Sequence, residues 1–304
     1  MTWQTVFAQQ FGLAESPFWH PQERALYWVD IAASQIWRAF SDGGSAQSWD
    51  MPSEPGCIAP ATRGGLVIAL RHGIFRAREW GGALERVVSL DYETRTVRAN
   101  DGKCDALGRL WVGTYDETKS NRAAALYSID CRDGRAPQVA RKAADALTGN
   151  GLAWSPDNRI LYWADTSSHV IHAWDCDLAG NALSAHRLFH TFGAKPADGS
   201  VDPSLYQGRP DGAAVDVDGN YFVAMYEGCR VCQFAPDGSL LAEFHTPARC
   251  PTMVCFGGED RKTLYLTTAR KGRSAQELEQ FPLSGGVFSR RLDTPGLPVN
   301  FFVE

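Results

Sequence analysis

Leu26-Tyr-Trp-Val-Asp30, Leu66-Val-Ile-Ala-Leu70, Leu110-Trp-Val-Gly-Thr114, Leu161-Tyr-Trp-Ala-Asp165, Tyr221-Phe-Val-Ala-Met225 and Leu264-Tyr-Leu-Thr-Thr268 are six versions of one segment, their starts 40, 44, 51, 60 and 43 residues apart. Each is an aromatic and β-branched apolar run. In most copies a Gly, Asp or Asn turn precedes it, as at Asp157-Asn158 and Asp218-Gly219-Asn220, which is the pattern of a buried strand. A second element follows each: Gln35-Ile-Trp-Arg38, Gly73-Ile-Phe-Arg76, Ala125-Leu-Tyr-Ser128, Val170-Ile-His-Ala173, Arg230-Val-Cys-Gln233 and Gly286-Val-Phe-Ser289. An antiparallel unit recurring every ~40–50 residues is what a four-stranded propeller blade requires. Six units predict an all-β, six-bladed β-propeller of four-stranded antiparallel blades around a central channel. The extra residues fall in surface connections, notably 115–124, 193–208 and 270–285, where insertions are tolerated and function collects.

Residues 1–304 are read as one propeller domain, its ring closed by N- and C-terminal strands, with Trp3–Ala8 expected to pair with Val299–Val303 and so remove an exposed edge. Helix is nearly absent. The one helical turn expected, Ser274-Ala-Gln-Glu277-Leu-Glu, begins with capping-box spacing.

The 304 residues are 44% hydrophobic and 21% charged, with 10 Trp, 15 Phe and 9 Tyr, a composition that can build a large aromatic core. A net charge of −5 argues against a nucleic-acid surface or a polybasic membrane patch, and leaves a small neutral or anionic ligand. The longest stretch free of charged side chains, residues 1–14, is interrupted by Thr and Gln and fits neither a membrane span nor a signal peptide. Eight cysteines without framework spacing read as reduced thiols of a cytoplasmic protein. The single CxxC, Cys229–Cys232, falls on a strand, where i and i+3 point to opposite faces. No pattern assigns an oligomeric state.

Nine to twelve residues before each second strand lie Glu15, Cys57, Asn100, Asn150, Asp211 and Thr252. The innermost strands of a propeller line its channel, so repeat-equivalent positions are neighbours around one axis. Glu15, Asn150 and Asp211 supply two carboxylates and an amide carbonyl, an oxygen set suited to one hard divalent cation; Ca²⁺, Zn²⁺, Mn²⁺, Mg²⁺ and Fe²⁺ are all compatible with it. Taken singly, Asn150-Gly151 and Asp211-Gly212 are ordinary turn dipeptides. Their recurrence at matched offsets, each ahead of an alternating strand, favours the metal site. No Gly-x-Ser-x-Gly elbow, His-Glu-x-x-His or phosphate loop competes; Ser155 and Ser204 lie outside such turns, and the seven histidines lack ligand spacing.

Leu13-Ala-Glu-Ser-Pro-Phe-Trp, Arg98-Ala-Asn-Asp-Gly-Lys-Cys-Asp, Asn150-Gly-Leu-Ala-Trp-Ser-Pro-Asp, Pro210-Asp-Gly-Ala-Ala-Val-Asp and Phe256-Gly-Gly, with Leu264-Tyr-Leu-Thr-Thr-Ala-Arg270, follow in order along nearly the whole chain. In these stretches the sequence resembles the SMP-30/gluconolactonase/regucalcin-like family of six-bladed propellers, many of them metal-dependent sugar lactonases. The resemblance implies Glu15, Asn150 and Asp211 as metal ligands and Arg98 and Asn100 as substrate contacts. It also implies an aldonolactone as the small-molecule substrate, and the charge balance above leaves neither nucleic acid nor membrane as an expected partner. Ala14 and Ser16 flank Glu15 where the family often has Gly, Ala99 replaces a bulkier residue, and Tyr115 stands where many members have Met, offering a polar substrate contact at the channel mouth. These departures leave the carboxylates in place and bear on substrate identity. Asp211 is the candidate general base for the attacking water. A metal-dependent esterase or phosphotriesterase is the alternative on the same scaffold, and a non-enzymatic calcium-binding propeller is the other.

Overall fold

The computed structural model describes residues 2–304 apart from 8, 42–44, 200, 201, 203 and 204, so Ala8 and Ser204 lie outside the described residues. A two-residue strand β1 (Gln4–Thr5) precedes the first blade of β2 (Ala14–His20), β3 (Ala25–Asp30), β4 (Gln35–Phe40) and β5 (Gln47–Asp50). The second blade is β6 (Pro55–Pro60), β7 (Leu66–Leu70), β8 (Gly73–Ala77) and β9 (Glu85–Val88); the third is β10 (Val97–Cys104), β11 (Leu110–Asp116), β12 (Ala124–Asp130) and β13 (Gln138–Ala146). The fourth is β14 (Gly149–Trp154), β15 (Ile160–Asp165), β16 (Val170–Asp177) and β17 (Ala182–Thr191); the fifth is β18 (Arg209–Val215), β19 (Tyr221–Tyr226), β20 (Arg230–Phe234) and β21 (Leu240–His245). The sixth holds β22 (Cys250–Gly257), β23 (Thr263–Ala269) and β24 (Val287–Arg291), with β1 as its outermost strand. The six repeated segments are the second strands of the six blades, as expected, and the following elements are the third strands. The protein is a six-bladed β-propeller, with β2, β6, β10, β14, β18 and β22 packed side by side around the axis.

Because each blade is covered on both faces by its neighbours, its second strand is largely apolar rather than alternating; Leu66-Val-Ile-Ala-Leu70 is buried throughout. The core is accordingly divided into six clusters, one per blade–blade interface. Trp28, Trp111 and Trp163 are buried in the second strands, Trp111 and Trp163 together between the third and fourth blades and Trp28 between the sixth and the first. The helix α1 (Ala275–Gln280) starts as its capping box requires, with the Glu277 amide donating to Ser274 Oγ at 3.2 Å.

The closure differs from expectation. The N-terminal segment does complete a blade, but β1 pairs antiparallel with β24, Gln4 opposite Ser289, and not with Val299–Val303. Since β1 already occupies the outer edge of β24, the chain beyond Arg291 turns under the ring. There Leu297 N donates to Val215 O at 3.0 Å, Phe302 N to Pro60 O at 2.8 Å and Val303 N to Gly108 O at 3.0 Å. Phe302 is fully buried between the second and third blades. This tail caps a cavity of about 120 Å³ lined by the downstream halves of the inner strands, among them Trp19, Trp154, Met253 and Phe256. Lys103 also lines it, its ammonium donating to the Ala213 carbonyl. The candidate functional residues occupy the upstream halves, at the other end of the channel.

Candidate functional site

Each innermost strand carries a register shift at the same level: after Glu15, Pro55, Ala99, Asn150, Pro210 and Pro251. A bulge bends its strand and re-aims the side chains beside it. Here six bulges lie at one level around the axis, at or beside the candidate residues. Two second-strand carboxylates set the approach of these strands. Asp30 accepts from the amides of Gly12 and Leu13 at 2.9 and 3.0 Å, just ahead of Glu15, and Asp165 accepts from Leu147 and Thr148 at 3.1 and 2.9 Å, just ahead of Asn150. Gly151 follows Asn150 at φ +59°, and a Cβ there would lie 2.4 Å from Tyr221 Oη, so the bulge admits no side chain.

A hydrogen-bonded chain crosses from the third blade to the fourth. Arg98 Nη1 donates to Asn100 Oδ1 at 2.9 Å, Asn100 Nδ2 donates to Asn150 Oδ1 at 2.8 Å and to Gly149 O at 3.0 Å, and Asn150 Nδ2 donates to Thr166 Oγ1 at 2.8 Å. The Arg98 guanidinium also lies 5.0 Å from the centre of the Tyr115 ring and 3.7 Å from Glu117. Tyr115 thus sits against Arg98. Glu15, Arg98, Asn100, Asn150 and Asp211 are all buried.

The carboxyls of Glu15 and Asp211 are both held well above their ordinary range. Burial is the main cause for each; Asp211 and Asp101 add to it at Glu15, and Asp101 adds to it at Asp211, where Arg209 and Arg98 pull the other way. Asp211 Oδ1 is buried without a hydrogen-bond partner among the described residues. The guanidiniums that act on Asp211 are paired at contact distance with other carboxylates, Arg98 with Glu117 and Arg209 with Glu227. Asn150 Oδ1 accepts one hydrogen bond and keeps a second lone pair. Two crowded carboxylates, an orphaned oxygen and an amide carbonyl fit a hard divalent cation, which satisfies oxygen donors and removes the penalty on their charge. At the equivalent places in the other blades, Cys57 is a buried thiol, and Thr252 donates its hydroxyl to the carbonyl of Ala14, supporting the strand of Glu15.

Removing the charge at Asp211 is therefore expected to stabilise the metal-free protein. A carboxyl with a raised folded-state pKa binds protons more tightly folded than unfolded, so its contribution to stability falls as pH rises above the ordinary carboxylate range. Chelated Asp211→Asn should unfold above chelated wild type at pH 8, with the gap closing towards pH 5, and a divalent cation should reverse the order. Equal melting temperatures at both pH values would refute this account.

Residue-type reasoning passed over Thr166, Asp101 and Glu117. Asp101 is buried, accepts from Leu152 N at 3.0 Å through Oδ2 and leaves Oδ1 without a partner. Its only sequence signal is adjacency to Asn100. Ser16 takes φ +49°, a conformation easier for Gly, and its hydroxyl accepts from Ile58 N at 3.0 Å, so it ties the first blade to the second.

A family model for the SMP-30/Gluconolactonase/LRE-like region matches residues 13–270. The chain belongs to this family. One relative, named 6-deoxy-6-sulfogluconolactonase, from Pseudomonas putida, is 39% identical over 97% of this chain and 96% of its own length. An L-arabinolactonase from Azospirillum brasilense is 32% identical over 91% of this chain and 87% of its own. The crystal structure of a calcium-binding protein, regucalcin, from Agrobacterium tumefaciens superimposes with a TM-score of 0.87 at 21% identity, covering 99% of this chain and 97% of that one, and has the same fold. Among the described residues of this SMP-30/gluconolactonase member, no group of three His, Cys, Asp or Glu side chains gathers that could hold a metal ion. Among the described residues, no helix is long and apolar enough to cross a membrane.

Proposed function

We propose that the protein hydrolyses a sugar-acid lactone, an aldonolactone, to the open aldonic acid, with one divalent cation held by Glu15, Asn150 and Asp211. The observation that carries this is the meeting of two buried carboxylates, Asp211 raising the pKa of Glu15, with the Arg98–Asn100–Asn150 chain at one end of the channel. The similarity to proteins named as lactonases supports it.

When bound, the cation supplies Lewis acidity at the lactone carbonyl and acidifies water. Asp211 orients the attacking water and accepts its proton as general base. The water oxygen bonds to the carbonyl carbon, the bond from that carbon to the ring oxygen breaks, and the proton held on Asp211 passes to the departing ring oxygen. The new carboxylic acid then ionises, releasing one proton per turnover near neutral pH. Arg98 and Asn100 donate to ring hydroxyls or the carbonyl, because a guanidinium fork and an amide are directional donors. Tyr115 keeps the Arg98 plane fixed by stacking beneath it.

The test is proton release from a panel of aldonolactones by chelated protein resupplied with single divalent metals, with an aryl ester and an organophosphate alongside. Metal-restored lactone opening is expected. Faster turnover of the ester or phosphotriester, or calcium binding with no turnover above spontaneous opening, would overturn it. Arg98→Met in the same assay is expected to raise KM ~10–100-fold, the range for losing hydrogen bonds to a charged donor, with a smaller change in kcat.

A further inference from the structure

Arg209 opens β18 two residues ahead of Asp211, as Arg98 stands two residues ahead of Asn100 in β10. The equivalence extends to three dimensions. Arg98 is in register with Tyr115 and Arg209 with Tyr226, and the two guanidiniums lie 5.0 and 4.9 Å from those ring centres. Each meets a carboxylate just beyond its tyrosine, Arg98 with Glu117 at 3.7 Å and Arg209 with Glu227 at 3.0 Å. Asp211 lies within the field of both. The mouth therefore carries two Arg–Tyr pairs two blades apart, of which the lactone-binding set above uses one.

The two pairs present opposite charge to water. On the Arg98 side the cations are inside and the acids outside: Arg98 and Arg71 are 9% and 16% exposed, Glu117 and Glu54 35% and 34%. On the Arg209 side the order is reversed. Glu227 is 4% exposed, whereas Arg209 and Lys195 around it are 20% and 29% exposed. Arg273 reaches the same carboxylate at 2.8 Å and Glu277 at 2.5 Å, so three cations meet two carboxylates among the described ion pairs. Although burial raises the Glu227 carboxyl, Arg209, Lys195 and Arg273 together hold it below its ordinary range, so it stays ionised and fixes the cations in place. Among the described ion pairs one positive charge is in excess, beside the candidate base and facing water.

We propose that Arg209, with Lys195 beside it, binds a permanently ionised substituent at the end of the lactone away from its carbonyl, so that the preferred substrates are acid-substituted aldonolactones. This assignment rests on the lactonase reading. A sulfonate and a carboxylate present the same chemistry to it, two or more anionic oxygens for a guanidinium fork and an ammonium. Arg209 is a specificity-determining residue for the substituent, and Arg98 and Asn100 remain the contacts of the ring.

The experiment uses three lactones on one ring, gluconolactone, its 6-deoxy-6-sulfo analogue and its 6-carboxylate analogue, with metal-loaded wild type, Arg209→Gln and Arg209→Lys. Both charged lactones should exceed gluconolactone in kcat/KM by roughly ten- to a hundredfold, mainly through KM, and high salt should erode that preference. The better of the two names the substituent the site is built for. Arg209→Gln should remove most of the preference, and Arg209→Lys should restore part of it. If wild type opens gluconolactone as well as the charged lactones at low salt, the proposal is overturned while the lactonase reading stands. An equal loss on all three substrates in Arg209→Gln also overturns it, since Arg209 would then act through Asp211 or the fold. Should that variant not fold, the wild-type preference and its salt response decide. No turnover of any of the three by wild type would end the lactonase reading as well.

Discussion

Asp211→Ala, saturated with divalent metal and given an aldonolactone, is expected to lose ~10²–10⁴ of its kcat, the range over which a positioned general base contributes. The effect should exceed that at any other residue of the mouth, because the proposal gives this carboxylate two tasks, holding the cation and taking the proton of water. Asp211 is buried, and its Oδ1 has no hydrogen-bond partner among the described residues. Glu15→Gln separates the tasks. It should weaken metal binding, and its turnover should recover in part as metal is raised, whereas Asp211→Ala should not recover. Metal titration by calorimetry beside proton release reads both. Near-wild-type turnover by a folded, metal-loaded Asp211→Ala would end the assignment.

Asp105→Ala is expected to cost ~3–5 kcal/mol of stability, the range for removing one partner of a buried ion pair. Asp105 is fully buried in the turn after β10, where its carboxylate accepts from Arg109 Nε at 2.7 Å, Trp111 Nε1 at 2.8 Å, and the amides of Leu107 and Arg109 at 2.9 and 3.1 Å. Its loss would strand the Arg109 guanidinium, which is buried and donates to Leu178 O at 2.5 Å, tying the third blade to the fourth. The denaturant midpoint should fall with the slope unchanged. Asp105→Asn, which keeps the shape and removes the charge, should lose less. A shift below ~1 kcal/mol in Asp105→Ala, the size of an ordinary point substitution, would mean that this carboxylate does not anchor the turn.

That Glu15, Asn100, Asn150 and Asp211 lie together was legible because, in a propeller, offset within the repeat is position around the axis, whereas Arg98 came only from the family resemblance. Residues that act from off that axis carry no such signal. Thr166 meets Asn150 from the turn after β15, and Glu117 reaches Arg98 from beyond β11. Arg209 had a readable sign, since Arg209-Pro-Asp211 repeats the spacing of Arg98-Ala-Asn100, but its meaning depends on Lys195 and Arg273 meeting one carboxylate from two other loops.

Strand order within the blades, their number and the level of the site follow from the sequence alone. Hydrophobic periodicity and turn residues are local, and six copies of one local pattern admit one way of stacking. The partner of β1, the C-terminal tail beneath the channel, the six bulges and the charge each side of the mouth presents were decided by tertiary structure. Those features depend on which of several competent edges, carbonyls and carboxylates lies within reach once the ring has closed, and distance between segments far apart in the chain is not written in either of them.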